Sequence, residues 1–268
     1  MTSVSSSRSS GTPIDRRLSL ILAVLGAALF ALPLASLILR APWGRIGEVS
    51  KDSVTLDALR LSLVVSFAAL AVSFVIAVPL AWLLARHRFA GRALLRGLVA
   101  VPMVLPPVVG GVALLEAFGR RGLIGGLLED AGVVLSLSTA GAVIAAAFVS
   151  APFLVFALEA GYGAVDPDLE DAAASMGARD ARIFRTITLP ALRPAMVAGG
   201  ALCWARAFGE FGATITFAGN LQGRTQTVPL AVFQTLQNDP GASILIALLP
   251  LALSAGLLLL LRRRLTAP

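Results

Sequence analysis

The sequence predicts an all-α polytopic membrane protein with six transmembrane helices and a pair of short helices on its cytoplasmic side. Three observations carry that prediction. Of 268 residues, 57% are hydrophobic and 14% charged, against roughly 45–50% and about 25% in soluble domains. The apolar residues fall in long uninterrupted blocks, not at the spacing that leaves one face of a helix to water. The longest charged stretch between blocks, residues 159–194, begins acidic and ends basic with helix-capping residues in place.

Taken in order, residues 1–17 are Ser-rich with Arg8, Arg16 and Arg17 and read as a disordered cytoplasmic tail. The membrane domain then occupies 18–264. Leu18 to Leu39 carries no charge over 22 residues, about 33 Å of helix against a hydrocarbon core of ~30 Å. That exceeds a signal-peptide apolar region of about 7–15 residues, so it is a retained span. Further blocks run Leu61 to Leu84, Leu94 to Phe118, Val133 to Leu158, Ala195 to Ala218 and Ala242 to Leu261. Six spans place both termini on one side. The tail, the 85–93 loop with Arg96, the 159–194 loop and the end hold 14 basic residues, and the other three connections hold 7. Lys and Arg are retained in the cytoplasm, so both termini are expected there. Pro79, Pro102, Pro106, Pro107 and Pro152 are expected to kink their spans, and Gly199, Gly200, Gly209 and Gly212 to admit close helix approach.

Composition also excludes. The net charge of +7 does not mark a nucleic-acid binder, because the basic residues flank apolar blocks instead of forming one aromatic-interleaved face. Cys203 and His87 are single copies, which leaves no disulfide and no Cys/His metal site within one chain. Cys203 reads as a small buried hydrophobe and His87 as part of a solvated loop. No nucleophile and base pair is available for an intramembrane enzyme. A nucleotide-binding P-loop needs a lysine after its second glycine, and Lys51, the only lysine, lies between Ser50 and Asp52.

Within the 159–194 loop, Asp166 suits an N-cap, Pro167 the first helical position, Asp168, Glu170 and Asp171 the positive end of the dipole, and Gly177 a left-handed stop. A second helix is expected from Asp180 to Leu189, ended by Pro190 and made basic by Arg179, Arg182 and Arg185.

This loop resembles the EAA loop of the membrane subunits of ABC importers. Asp171-Ala172-Ala173 is followed by three residues, Gly177, nine residues, Ile187, Thr188 and Leu189-Pro190. Asp171 departs from the family's Glu, keeping the charge on a shorter arm. The resemblance implies that Glu170, Asp171, Ala172, Ala173, Gly177, Ile187, Leu189 and Pro190 dock a separate ATP-hydrolysing subunit, so that the chain itself is a permease subunit and not an enzyme, with no cofactor.

A second segment, Gly209-Glu210-Phe211-Gly212 through Thr214-Ile215-Thr216-Phe217-Ala218-Gly219-Asn220 and Gly223-Arg224-Thr225-Gln226-Thr227, is similar to molybdate permeases, with related forms in sulfate and tungstate permeases. The implied assembly is two copies of this chain in the lipid of a prokaryotic plasma membrane, two ATPase subunits and an external binding protein. Sulfate/thiosulfate or tungstate import remains the alternative, and a secondary transporter a more distant one that leaves the loop without a purpose. Arg206 and Glu210 stand one helical turn apart inside a span and read either as a pathway element or as a self-neutralising pair. Thr214 and Thr216 are further pathway candidates, or bond their own helix.

Overall fold

The computed structural model describes residues 16–265, and among these it is helical with no strand. The predicted tail therefore lies outside the described residues except for its last two, which open the first helix. In chain order the helices are α1 (Arg16–Arg40), α2 (Ile46–Val49), α3 (Ser53–Arg86), α4 (Arg92–Val104), α5 (Pro107–Phe118), α6 (Gly125–Asp130), α7 (Thr139–Ala164), α8 (Pro167–Ser175), α9 (Asp180–Ile183), α10 (Leu189–Phe208), α11 (Gly212–Phe217), α12 (Val228–Asn238) and α13 (Pro240–Leu265). A 3-10 turn, Trp43–Arg45, precedes α2, and a π turn, Phe184–Thr188, joins α9 to α10. Four helical stretches are long and apolar enough to cross a membrane, Leu18–Arg40, Ser53–Arg86, Thr139–Ala164 and Asp180–Phe208, while Pro107–Phe118 and Pro240–Gly256 are shorter apolar helices.

The centre of the bundle is α7, packed between α3 and α10. The face that α3 turns inward is a ladder of small residues at helical spacing: Ala58, Ser62, Ser66, Ala69, Ser73, Ala77 and Ala81 are all buried. Small side chains let two backbones close together, which is how helices gain packing energy where the surroundings are as apolar as the core. The α7–α10 crossing is equally tight. A Cβ on Gly199 would stand 2.5 Å from that of Ala157, and one on Gly161 would stand 2.7 Å from that of Ala195. Leu84, Leu154, Leu158, Tyr162, Leu192 and Cys203 fill the resulting core, so Cys203 is the buried hydrophobe its surroundings predict. By contrast, no residue in the apolar window of α1 is buried, and the helix rests mainly on α13.

Three expected elements take another form. The third block is two helices, because the tandem Pro106-Pro107 forces the residue before each proline out of the helical region. Leu105 (ψ 133°) and Pro106 (ψ 130°) are both extended, so α4 ends and α5 starts afresh. Pro79, Pro102 and Pro152, each lacking a proline neighbour, remain inside their helices. The fifth block also breaks, at Gly209 to Phe211, leaving the short α11 beyond α10. Finally, Pro190 does not end a helix. Helical backbone runs on from Asp180 to Phe208 through the π turn, in which the Leu189 N–H donates to the Phe184 carbonyl. The widened turn accommodates a residue with no N–H to give, and Pro190 becomes a first-turn residue of α10.

Candidate functional site

The two broken helices meet. A Cβ on Gly111 of α5 would lie 2.7 Å from Thr216 Cβ and 2.9 Å from the Ala213 carbonyl of α11, and one on Gly212 would lie 2.7 Å from Pro107 Cβ. At the break before α11, Arg206 Nη1 is 2.6 Å from Glu210 Oε2, while Glu210 Oε1 accepts from the Ala213 N–H at 2.8 Å. The carboxylate thus neutralises the arginine and caps the new helix, with Glu210 buried and Arg206 partly exposed. Thr216 gives its hydroxyl to the Gly212 carbonyl of its own helix at 2.8 Å, and Thr214 is buried. The structure therefore brings all four pathway candidates to one helix break.

The second site is the loop from α7 to α10. Asp166 is the N-cap of α8, its carboxylate accepting from the Asp168 N–H at 3.0 Å, with Pro167 in the first position. At the far end the Ala178 N–H donates to the Ala173 carbonyl (3.0 Å) and the Gly177 N–H to the Ala174 carbonyl (2.9 Å). This is a Schellman closure, and it requires the left-handed φ of +84° that Gly177 adopts. Between the caps, Asp171, Ala172, Ala174, Ser175 and Gly177 face outward and Ala173 is half-buried. Leu169 is 57% and Met176 83% exposed, which adds an apolar edge to an acidic helix.

The remaining residues of the motif face the bundle. Ile187, Leu189 and Pro190 are half-buried along the π turn and the start of α10. Glu170 Oε2 sits 3.0 Å from Arg86 Nη2 at the end of α3, and its Oε1 accepts from the Thr188 hydroxyl. Arg86 Nη2 also donates to the Val165 carbonyl at the end of α7, at 3.3 Å. Nearby, Glu159 of α7 lies 3.8 Å from Arg92 and 3.4 Å from Arg96 of α4. In the sequence, Arg86, Arg92 and Arg96 stand out only as topology signals. The overlooked hint is Glu159 itself, a carboxylate at the end of an apolar block with arginines in the preceding loop.

At the opposite end of the bundle, Arg45 holds Asp239 through two contacts, Nη1 to Oδ1 at 3.1 Å and Nη2 to Oδ2 at 2.8 Å. Asp239 also accepts from the Ala242 N–H at the start of α13. These hydrogen bonds, the Arg45 one foremost, hold the Asp239 carboxyl down to about 2, and the same partner raises the Arg45 guanidinium above its ordinary value.

Comparison with known proteins places the chain. It is 42% identical over 233 residues to the molybdenum transport system permease protein ModB of Mycobacterium bovis, covering 87% of this chain and 88% of that protein. It is 35% identical over 234 residues to the sulfate transport system permease protein CysT of Salmonella typhimurium, covering 85% and 83%. Its fold is similar to a chain of a bacterial ABC transporter involved in import of the acidic polysaccharide alginate, with a TM-score of 0.75, 16% identity, and coverage of 94% of this chain and 96% of that one. Residues 77–266 match the family of binding-protein-dependent transport system inner membrane components, and the chain belongs to that family.

Proposed function

We propose that this chain is the permease subunit of an ATP-driven importer of molybdate, working as two copies with two ATPase subunits and an external binding protein. The observation that carries the transport reading is α8: a helix closed at both ends, exposed at Asp171, Ala172 and from Ala174 to the Gly177 turn, on a chain that is largely apolar. Asp171, Ala172, Ala173 and Gly177 present the docking face for the ATPase. Glu170, Ile187, Leu189 and Pro190 root that face in the bundle. ATP hydrolysis belongs to the partner.

Six crossings are composed of α1, α3, the α4–α5 pair, α7, α10 with α11, and α13, with both termini cytoplasmic. The arginine asymmetry supports this orientation, as does the grouping of Arg86, Arg92, Arg96 and the α8 loop at one end of the bundle. The substrate passes beside the α5–α11 crossing, between two copies. The higher identity to a molybdenum permease than to a sulfate permease over similar lengths supports molybdate. The test is uptake by proteoliposomes holding the chain with its ATPase and binding protein. Molybdate accumulating ahead of equimolar sulfate is expected, and sulfate ahead of molybdate favours the alternative.

A further inference from the structure

We propose that Arg86 is a positioning residue, the joint through which α3 and the α8 handle move as one body. The inference rests on the docking role given above to α8 and asks what that motion reaches inside the chain. Arg86 is the last residue of α3, and its side chain and that of Glu170 are 19% and 24% exposed. One guanidinium nitrogen is shared between the Glu170 carboxylate of α8 and the Val165 carbonyl that ends α7. The other carboxylate oxygen takes the hydroxyl of Thr188 at the end of the π turn. Three elements, the end of α7, the first turn of α8 and the root of α10, therefore converge on the end of one helix. A partly desolvated pair of this kind, with each charge met by further hydrogen bonds, is far less yielding than an exposed ion pair.

The direction of transmission follows from α3. It runs without a break for 34 residues, a rod of about 51 Å at 1.5 Å per residue. Near its far end Ser62 Oγ accepts from the Val228 N–H at 2.7 Å, at the start of α12, and Asp57 accepts from Gln222 at 3.4 Å. Gln222 and Val228 bracket the buried Thr225, Gln226 and Thr227, the segment that follows α11. A displacement of α8 passed to Arg86 thus reaches the segment that follows α11 in the chain without travelling through the broken helices themselves.

The experiment uses the complete importer in nanodiscs and compares wild type with Arg86→Gln, Arg86→Lys and Thr188→Val. Three quantities are read: ATPase co-purification, basal ATP hydrolysis, and the stimulation of hydrolysis by molybdate-loaded binding protein. The joint predicts that Arg86→Gln leaves co-purification and basal hydrolysis intact and lowers stimulation about tenfold. Thr188→Val lowers it less, and Arg86→Lys, which keeps the charge but not the shared geometry, recovers part of it. Wild-type stimulation in Arg86→Gln overturns the proposal. So does loss of co-purification, because the pair then merely builds the docking surface. Should Arg86→Gln fail to insert, Thr188→Val and Arg86→Lys decide, and unchanged stimulation in both overturns it. If wild-type chain fails to retain the ATPase, the docking reading falls first, which separates the two failures.

Discussion

Arg206 and Glu210 are 2.6 Å apart across one turn at the end of α10, and the same carboxylate caps α11 through the Ala213 N–H. Charge exchange between the two positions is therefore expected not to restore assembly, since an arginine at 210 cannot accept from Ala213. Glu210→Gln keeps the acceptor and should retain more stability than Glu210→Ala, which loses a charge-assisted hydrogen bond of about 1.5–3 kcal/mol. Thermal stability of the detergent-solubilised protein, followed by size exclusion, distinguishes the three.

The α5–α11 crossing has no room for a methyl group. Gly111→Ala places a Cβ against Thr216 and the Ala213 backbone, an overpacking expected to cost about 1–3 kcal/mol. Gly126→Ala, where nothing lies within 4 Å, is the matched control and should be silent. Transport should fall in the first variant even where the protein still assembles, because the two broken helices are forced apart.

At the Arg45–Asp239 clip, acid is the informative variable. Asp239 has its pKa lowered from 3.8 to about 2 in the folded chain, so its contribution is present above the unfolded value and disappears as pH falls through the folded one. The clip should be indifferent between pH 5 and 8 and open between about pH 4 and 2. Trp43, two residues before Arg45 in the same 3-10 turn, reports this by fluorescence. Asp239→Asn should abolish the acid-dependent step and leave the signal already shifted at neutral pH. High salt should weaken the clip in wild type, because both partners are substantially exposed.

Local chemistry was legible in the sequence and long-range chemistry was not. Asp166, Pro167 and Gly177 announce the ends of α8 because caps depend on residues a few positions apart. The Arg86–Glu170 pair joins residues from separate helices, and no spacing rule reaches that far. Prolines marked two of the three irregularities, but not their kind, and the break at Gly209 to Phe211 has no proline at all. A lone proline is absorbed by its helix, a tandem breaks it, and Pro190 is accommodated by a π turn that only the packing of α10 reveals. The helix α12 lies in the connection between the fifth and sixth apolar blocks, where the sequence reading places no helix, although Pro229 in its first turn is a usable signal. Polar Gln234 and Asn238 within it dilute the apolar pattern.

Gly177 separates conformation from crowding. Nothing lies within 4 Å of a Cβ placed there, so Gly177→Ala costs only the left-handed backbone, about 1 kcal/mol. Gly177→Asn, which tolerates that region better, should lose less. Hydrogen exchange at the Gly177 and Ala178 amides, which close the helix onto Ala174 and Ala173, measures the fraying directly.

The most direct test of the account is ATPase retention by Asp171→Lys and Gly177→Asp in chains that insert at wild-type levels. Asp171 on α8 and Gly177 in the turn that closes it are both exposed, and neither packs a side chain against the bundle. The account predicts that each variant loses co-purification of the ATPase together with transport-coupled ATP hydrolysis. Wild-type retention and coupling in both variants would contradict the docking role of α8, and with it the mechanism by which this chain is driven.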